Sequence, residues 1–256
     1  MSLWDAVILG IVEGFTEYLP ISSTGHLILT SKILKIAQSD FVKSFEITIQ
    51  LGAILAVIAL YWKKLLVDWR VIKRILVAFV PTGLVGLALY KIIKQYLIGS
   101  SGITLWALFA GGTLLIIFEL LHREKPDATK AIEEITYQKS FWIGVFQSFA
   151  IIPGVSRSAA TIIGGLWLNL KRETIVEFSF LLAMPTMLAA TAFDLTKNFY
   201  NFNANQLDIL AIGFITSFAV AIVGIKFLLR FIKNRSFIYF GIYRILAALL
   251  FWLIIF

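Results

Sequence analysis

Two glutamates four residues apart, Glu13 and Glu17, open a run that continues through Pro20, Ser22, Ser23, Thr24, Gly25 and His26. Residues spaced this way share one face of a helix. Two carboxylates on an apolar-flanked face repel each other, the more so in a low dielectric, so the pair must recruit a cation or keep one proton. Pro20 ends the first helical segment, and the hydroxyl cluster opens a second. A helix N-terminus offers unpaired N–H groups and the positive end of the dipole, which makes it an anion site that hydroxyls reinforce. Ordinary N-capping accounts for Ser22 or Ser23, but not for three hydroxyls followed by Gly25 and His26. A second run, Pro153-Gly154-Val155-Ser156-Arg157-Ser158, repeats the logic with an arginine and no acid. A buried guanidinium needs an anionic partner, and its planar fork suits phosphate oxygens. An internal ion pair with Glu13 or Glu17 would also satisfy it. Taken together these residues describe a phosphate pocket. The adjoining carboxylates suit Mg²⁺ or Ca²⁺, hard cations that share oxygen ligands with a diphosphate.

The elements that carry these residues are set by the apolar content of the chain. It has 256 residues, of which 59% are hydrophobic, and its mean hydropathy is +0.89. A folded water-soluble surface cannot hide that much apolar area, so the class is an all-α polytopic membrane protein in a single membrane domain, 1–256. A bilayer span takes about 20 apolar residues, and six segments fit: 43–62, 75–92, 103–121, 174–196, 207–229 and 237–256. Two further stretches, 3–36 and 140–168, are broken by the polar runs described above. Each half is about half a span long, so each stretch reads as a re-entrant helix-loop-helix hairpin. Irregular backbone at membrane depth is tolerated only where protein or a wet cavity surrounds it.

The net charge of +8 need not mean nucleic acid, which is not expected as a partner. With the N-terminus outside, loops 63–74, 122–139, 169–173 and 226–236 hold fifteen Lys and Arg on the inner side, against six outside. That bias places both termini outside. The absence of cysteine excludes thiolate chemistry, and the N-terminus lacks the basic segment of a cleavable signal.

An offset of 134 residues lays one broken hairpin over the other without a gap, matching Gly10 with Gly144, Phe15 with Phe149 and Ser22 with Ser156. Glu13 then meets Gln147, Ser23 meets Arg157, and Thr24 meets Ser158. Each hairpin is followed by three spans, an odd number, so the two halves have opposite topology. The expectation is an inverted-topology repeat of 1–122 and 138–256 with its site where the broken helices meet. Glu46 and Gln50 sit near a span start and are candidates to line the same cavity. Glu119 and Asp194 lie at span ends, and Arg244, deeper in the last span, has Glu177 as a candidate partner.

At these residues the chain resembles the undecaprenyl-diphosphate phosphatase family, also called the bacitracin-resistance family. The resemblance runs the whole length and is carried by the E-x-x-x-E-[FY]-L-P-[IV]-S-S-T-G-H block at 13–26, by FEITIQLGAILAV at 45–57 and by PGVSRSAATI at 153–162. It implies hydrolysis of undecaprenyl diphosphate to undecaprenyl phosphate and inorganic phosphate with a divalent cation. That step recycles the lipid carrier of cell-wall synthesis and confers bacitracin resistance. By position it implies Glu13 and Glu17 as the acidic, metal-binding motif, His26 as the essential histidine and Arg157 as the phosphate clamp. Ser22, Ser23, Thr24, Ser156 and Ser158 match the hydroxyl positions. It further implies the bacterial plasma membrane, membrane lipid as surroundings and a site open to the outer face. A homodimer is compatible with the sequence, which does not fix the oligomeric state.

The attacking atom is left open among Ser23, activated by His26 or Glu17, His26 itself, and a water that His26 activates. Ser23 is preferred, because a hydroxyl at a helix N-terminus is well placed for in-line attack. The rival from a different class is a transporter or flippase for a phosphorylated lipid, since inverted repeats favour alternating access. A membrane scaffold leaves the buried Glu-Glu-His-Arg set unexplained.

Overall fold

The computed structural model describes residues 1–37, 39–97, 100–198 and 206–255; the side chains of Lys94, Asp194 and Lys197, and the last residue of the final span, lie outside that set. It is all helical, with ten α-helices among the described residues: α1 (Leu3–Thr16), α2 (Ser23–Ile33), α3 (Asp40–Val67), α4 (Trp69–Ile92), α5 (Ser101–Leu121), α6 (Tyr137–Ser148), α7 (Arg157–Trp167), α8 (Arg172–Asn198), α9 (Leu207–Ile232) and α10 (Ile238–Ile255). Six of them, α3, α4, α5, α8, α9 and α10, are long and apolar enough to cross a bilayer. They coincide with the six expected segments.

Two boundaries differ: α9 runs on to Ile232, through most of the expected loop 226–236, and the loop between α3 and α4 is nearly absent. Residues 63–74, expected as a loop, are almost wholly helical, since α3 runs to Val67 and α4 begins at Trp69. Asp68 alone makes the turn, its carboxylate accepting from the Arg70 N–H at 2.9 Å. Long basic side chains can stay on helical ends because they snorkel to water, so a basic cluster does not require a loop.

The two broken stretches each form a pair of short helices. α1 stops at Thr16 and α2 starts at Ser23, capped by the Ser22 hydroxyl, which accepts from Gly25 N–H at 3.4 Å. α6 stops at Ser148 and α7 starts at Arg157, capped by Ser156, which accepts from Ala159 N–H at 3.2 Å. Both capping serines have φ in the left-handed region, 72° and 76°. Among the described residues the other non-glycine positions of this kind are Lys35 and Asn169, just past the ends of α2 and α7. Such a backbone costs on the order of 1–3 kcal/mol and persists only where its surroundings enforce it.

α1 packs on α9 and α6 on α4, α3 lies against α8 and α9, and α5 against α10. The glycines of the two short helices make that packing close. A Cβ on Gly10 would lie 2.9 Å from the Gly213 carbonyl oxygen, and one on Gly144 would fall on the Ala78 carbonyl. Backbone cannot retreat as a flexible side chain can. Gly144→Val is therefore expected to cost at least about 2 kcal/mol through overpacking, measured as a lower melting temperature and a smaller monodisperse fraction in detergent.

Candidate active site

The tips of both short-helix pairs meet at one cavity of about 250 Å³. Ser22, Ser23 and Thr24 line it from the start of α2, Ser156 and Arg157 from the start of α7, and Glu17 from just past α1. Gln50 joins them as expected, and Glu46 is not among the lining residues. Two helix N-termini thus open on the same space, each with amide N–H groups that no helical carbonyl uses. The caps leave the serine protons available: Ser22 and Ser156 each accept from a backbone N–H, so their O–H groups remain free to donate to a ligand.

Glu17 is the hub. Its Oε2 accepts from Ser23 Oγ at 2.5 Å, and its Oε1 accepts from Arg157 Nη2 at 3.4 Å. The side chains of Arg157 and Glu17 are only 11% and 8% exposed, so the contact is little screened. Arg157 is fixed from behind, with Nη1 donating to the Ser179 carbonyl at 2.7 Å. Its Nε is buried without a hydrogen-bond partner among the described residues, which leaves one donor for an anion. The internal ion pair and the free donor therefore coexist, because a guanidinium has five N–H groups.

Glu13 is fully buried, and neither carboxylate oxygen has a hydrogen-bond partner among the described residues. The charges of Glu17, Glu46 and Arg157 act on it. Leaving a carboxylate bare inside a protein is expensive, so Glu13 either holds a cation or stays neutral. Among the described residues no group of three or more His, Cys, Asp or Glu is placed to hold a metal ion.

Three residues expected at the pocket do not line it: the buried Glu13, His26 and Ser158. His26 Nδ1 bonds the Ser22 carbonyl at 2.7 Å and its Nε2 the Tyr243 hydroxyl at 2.8 Å, with the ring stacked on Tyr243. A carbonyl only accepts, so Nδ1 carries a proton, and in the neutral ring Nε2 accepts from Tyr243. Both nitrogens are occupied: Nδ1 braces the strained Ser22 turn, and Nε2 is tied to Tyr243. Ser158 is fully buried, and its hydroxyl donates to the Tyr18 carbonyl at 2.8 Å, which ties the second hairpin to the first.

Sequence reasoning missed several partners. Glu177 pairs with Lys64 at 2.6 Å, not with Arg244. Arg244 is fully buried and donates to five carbonyls: Leu108 and Ala107 on α5, Pro20 in the first hairpin, and Gly154 and Val155 in the second. One guanidinium therefore pins both tips. Thr82, Gln147 and Thr186 form a further polar wall of the cavity. A polar residue inside an apolar span is itself a signal, and Ser179, Gln147 and Thr186 all carried it.

The family model for Bacitracin resistance protein BacA matches residues 6–250. The chain is similar to proteins named undecaprenyl-diphosphatase from Aquifex aeolicus (54% identical over 98% of each chain), from a Sulfurihydrogenibium species (55% over 99% of each) and from Persephonella marina (49% over the full length of both). With 245 of its residues inside one family model and near-complete overlap with these relatives, the chain belongs to the bacitracin resistance protein BacA family.

Proposed function

We propose that this chain hydrolyses undecaprenyl diphosphate to undecaprenyl phosphate and inorganic phosphate, the activity named in its relatives, and so recycles the lipid carrier of cell-wall synthesis. The observation that carries the mechanism is the Ser23–Glu17–Arg157 chain of contacts at the convergence of two helix N-termini. Phosphoryl transfer is mostly positioning and charge neutralisation. Arg157, with the Ser22, Thr24 and Ser156 hydroxyls and the amides of α2 and α7, holds the phosphate oxygens. Glu17 takes the Ser23 proton as Oγ bonds to the terminal phosphorus. The bridging P–O bond breaks with its electron pair going to the lipid phosphate. Water then cleaves the phosphoserine, Glu17 returns its proton to Ser23, and dihydrogen phosphate leaves.

A divalent cation fits the donor set, because the bare carboxylate of Glu13 beside Glu17 supplies hard oxygen ligands and phosphate oxygens would complete the shell. When bound, it offsets charge on the diphosphate. His26 and Ser158 serve as braces in this reading, the first for the Ser22 turn and the second between the hairpins.

The same proposal includes topology. The helix pairs α1–α2 and α6–α7 are re-entrant hairpins of two inverted repeats, 1–122 and 138–256. Support comes from the paired left-handed serines Ser22 and Ser156, the second pair Lys35 and Asn169 at the same offset, and a packing pattern in which α1 on α9 mirrors α6 on α4. The termini lie outside, and the site opens to the outer face. All seven tryptophans are exposed, and they form two belts on this reading, Trp4, Trp106 and Trp252 outside and Trp62, Trp69, Trp142 and Trp167 inside.

The test uses purified protein in detergent with a long-chain prenyl diphosphate and Mg²⁺ or Ca²⁺. Phosphate release is expected, falling by about a thousandfold in Ser23→Ala. A ³²P adduct mapped to His26, or full turnover in Ser23→Ala, would overturn the assignment of the nucleophile.

A further inference from the structure

We infer that Gln147 holds the water that completes hydrolysis of the terminal phosphoryl group. This deepens the hydrolase reading and rests on it. Gln147 lies in α6, is 1% exposed and lines the same cavity as Ser23, Glu17 and Arg157. The orientation of its amide is forced. The Thr82 hydroxyl donates to the Gly144 carbonyl at 3.1 Å, and the Thr186 hydroxyl donates to the Leu182 carbonyl at 2.8 Å. Each hydroxyl has one hydrogen, and it is already used. Gln147 Nε2 donates to both oxygens, at 2.9 Å and 3.0 Å. A flipped amide would set Oε1 against two oxygens with no hydrogen to offer. Oε1 is therefore the atom left over, and it has no hydrogen-bond partner among the described residues.

A buried acceptor of this kind calls for a donor. Anionic phosphate oxygens are acceptors and do not qualify; their donors stand on the hairpin tips. A water qualifies, because it can donate to Oε1 while turning a lone pair toward phosphorus. The arrangement of the cavity also gives the water its turn. Ser23, Glu17 and Arg157 come from the hairpin tips, whereas Gln147, Thr82 and Thr186 come from α6, α4 and α8, beside the apolar Ile151, Ile152 and Met187. In-line attack by Ser23 expels the lipid phosphate away from the serine. The place it vacates is in line with the new Oγ–P bond, and a water held there attacks along the same axis. Its oxygen bonds to phosphorus, the Oγ–P bond breaks, and Ser23 recovers the proton that Glu17 stored. No further reactant is needed. At the 134-residue offset the counterpart of Gln147 is Glu13, whose oxygens are also without hydrogen-bond partners. The charged side chain there suits a cation, and the neutral amide here suits water.

The test runs the full chain in detergent with a long-chain prenyl diphosphate and Mg²⁺ in aqueous methanol, and measures the ratio of methyl phosphate to inorganic phosphate. A weakened fold lowers both products together, whereas a lost water site shifts the ratio. Gln147→Ala is expected to lower inorganic phosphate release about tenfold and raise the ratio about tenfold, the worth of one hydrogen bond to a reacting group. An unchanged ratio in Gln147→Ala overturns the inference. So does an unchanged ratio with an altered pH dependence of KM, which would assign Oε1 to a protonated phosphate oxygen of the substrate. If Ser23→Ala keeps turnover, the covalent step fails and this inference with it, because a water on the leaving-group side cannot attack in line while the lipid phosphate is attached; the hydrolase reading then stands alone. A wild-type chain that releases no phosphate ends the hydrolase reading and this inference together.

Discussion

Arg157→Ala is expected to reduce phosphate release by about three orders of magnitude, with Arg157→Lys recovering little of it. The loss has two sources. The free Nε and the remaining N–H groups are the site's strongest donors to a phosphate, and the substitution removes them. It also strips Glu17 of the guanidinium that contacts Oε1 at 3.4 Å while Oε2 is engaged with Ser23. Lysine cannot hold the Ser179 carbonyl, Glu17 and a phosphate at once, because its ammonium is one point and the guanidinium a planar fork. Ser179→Ala keeps the carbonyl that Nη1 binds at 2.7 Å, so it is expected to stay within about tenfold of wild type. Steady-state phosphate release for the three variants decides the matter. Activity in Arg157→Lys close to wild type would show that charge alone suffices and that the fork geometry is irrelevant.

Arg244→Met is expected to destabilise the fold by about 3–5 kcal/mol and to lower kcat in the fraction that remains folded. Five carbonyls lose a donor at once, three of them in the hairpin tips. Pro20, Gly154 and Val155 precede the left-handed serines Ser22 and Ser156 by two residues or fewer. Releasing their carbonyls lets those strained turns relax, which turns the amides and hydroxyls of α2 and α7 away from the cavity. Arg244→Lys, with three donors in place of five, is expected to fall between. Melting in detergent reports the first effect and turnover per folded molecule the second. A folded Arg244→Met with wild-type kcat would show that the tips hold their shape without the arginine.

The chemical inventory of the site was legible in the sequence. Helix breaks at Pro20 and Pro153, caps at Ser22 and Ser156, and six spans of bilayer length are local properties, fixed by residue type and spacing, and the structure has each of them. Glu17, Ser23 and Arg157 followed from the same local logic and do meet at one cavity. What the sequence could not assign was the direction in which each side chain acts. His26 stands in the same motif as Ser23, yet its ring is turned to Tyr243, which is 217 residues away, and braces a carbonyl. Arg244 offered no local partner because its partners are backbone carbonyls, which every residue has and no motif marks. In the sequence Gln147 stood only as the counterpart of Glu13 at the 134-residue offset; Thr82 and Thr186, from two other helices, decide which of its atoms is free.

The polar cluster of the opening, two acids, a hydroxyl run and a second run with arginine, was thus determined by the sequence alone, because helix breaking, capping and charge repulsion act over a few residues. Its division of labour was decided by tertiary structure. A buried donor or acceptor takes whichever partner the packing of distant helices brings within about 3 Å, and that proximity is not written in the spacing of any one segment.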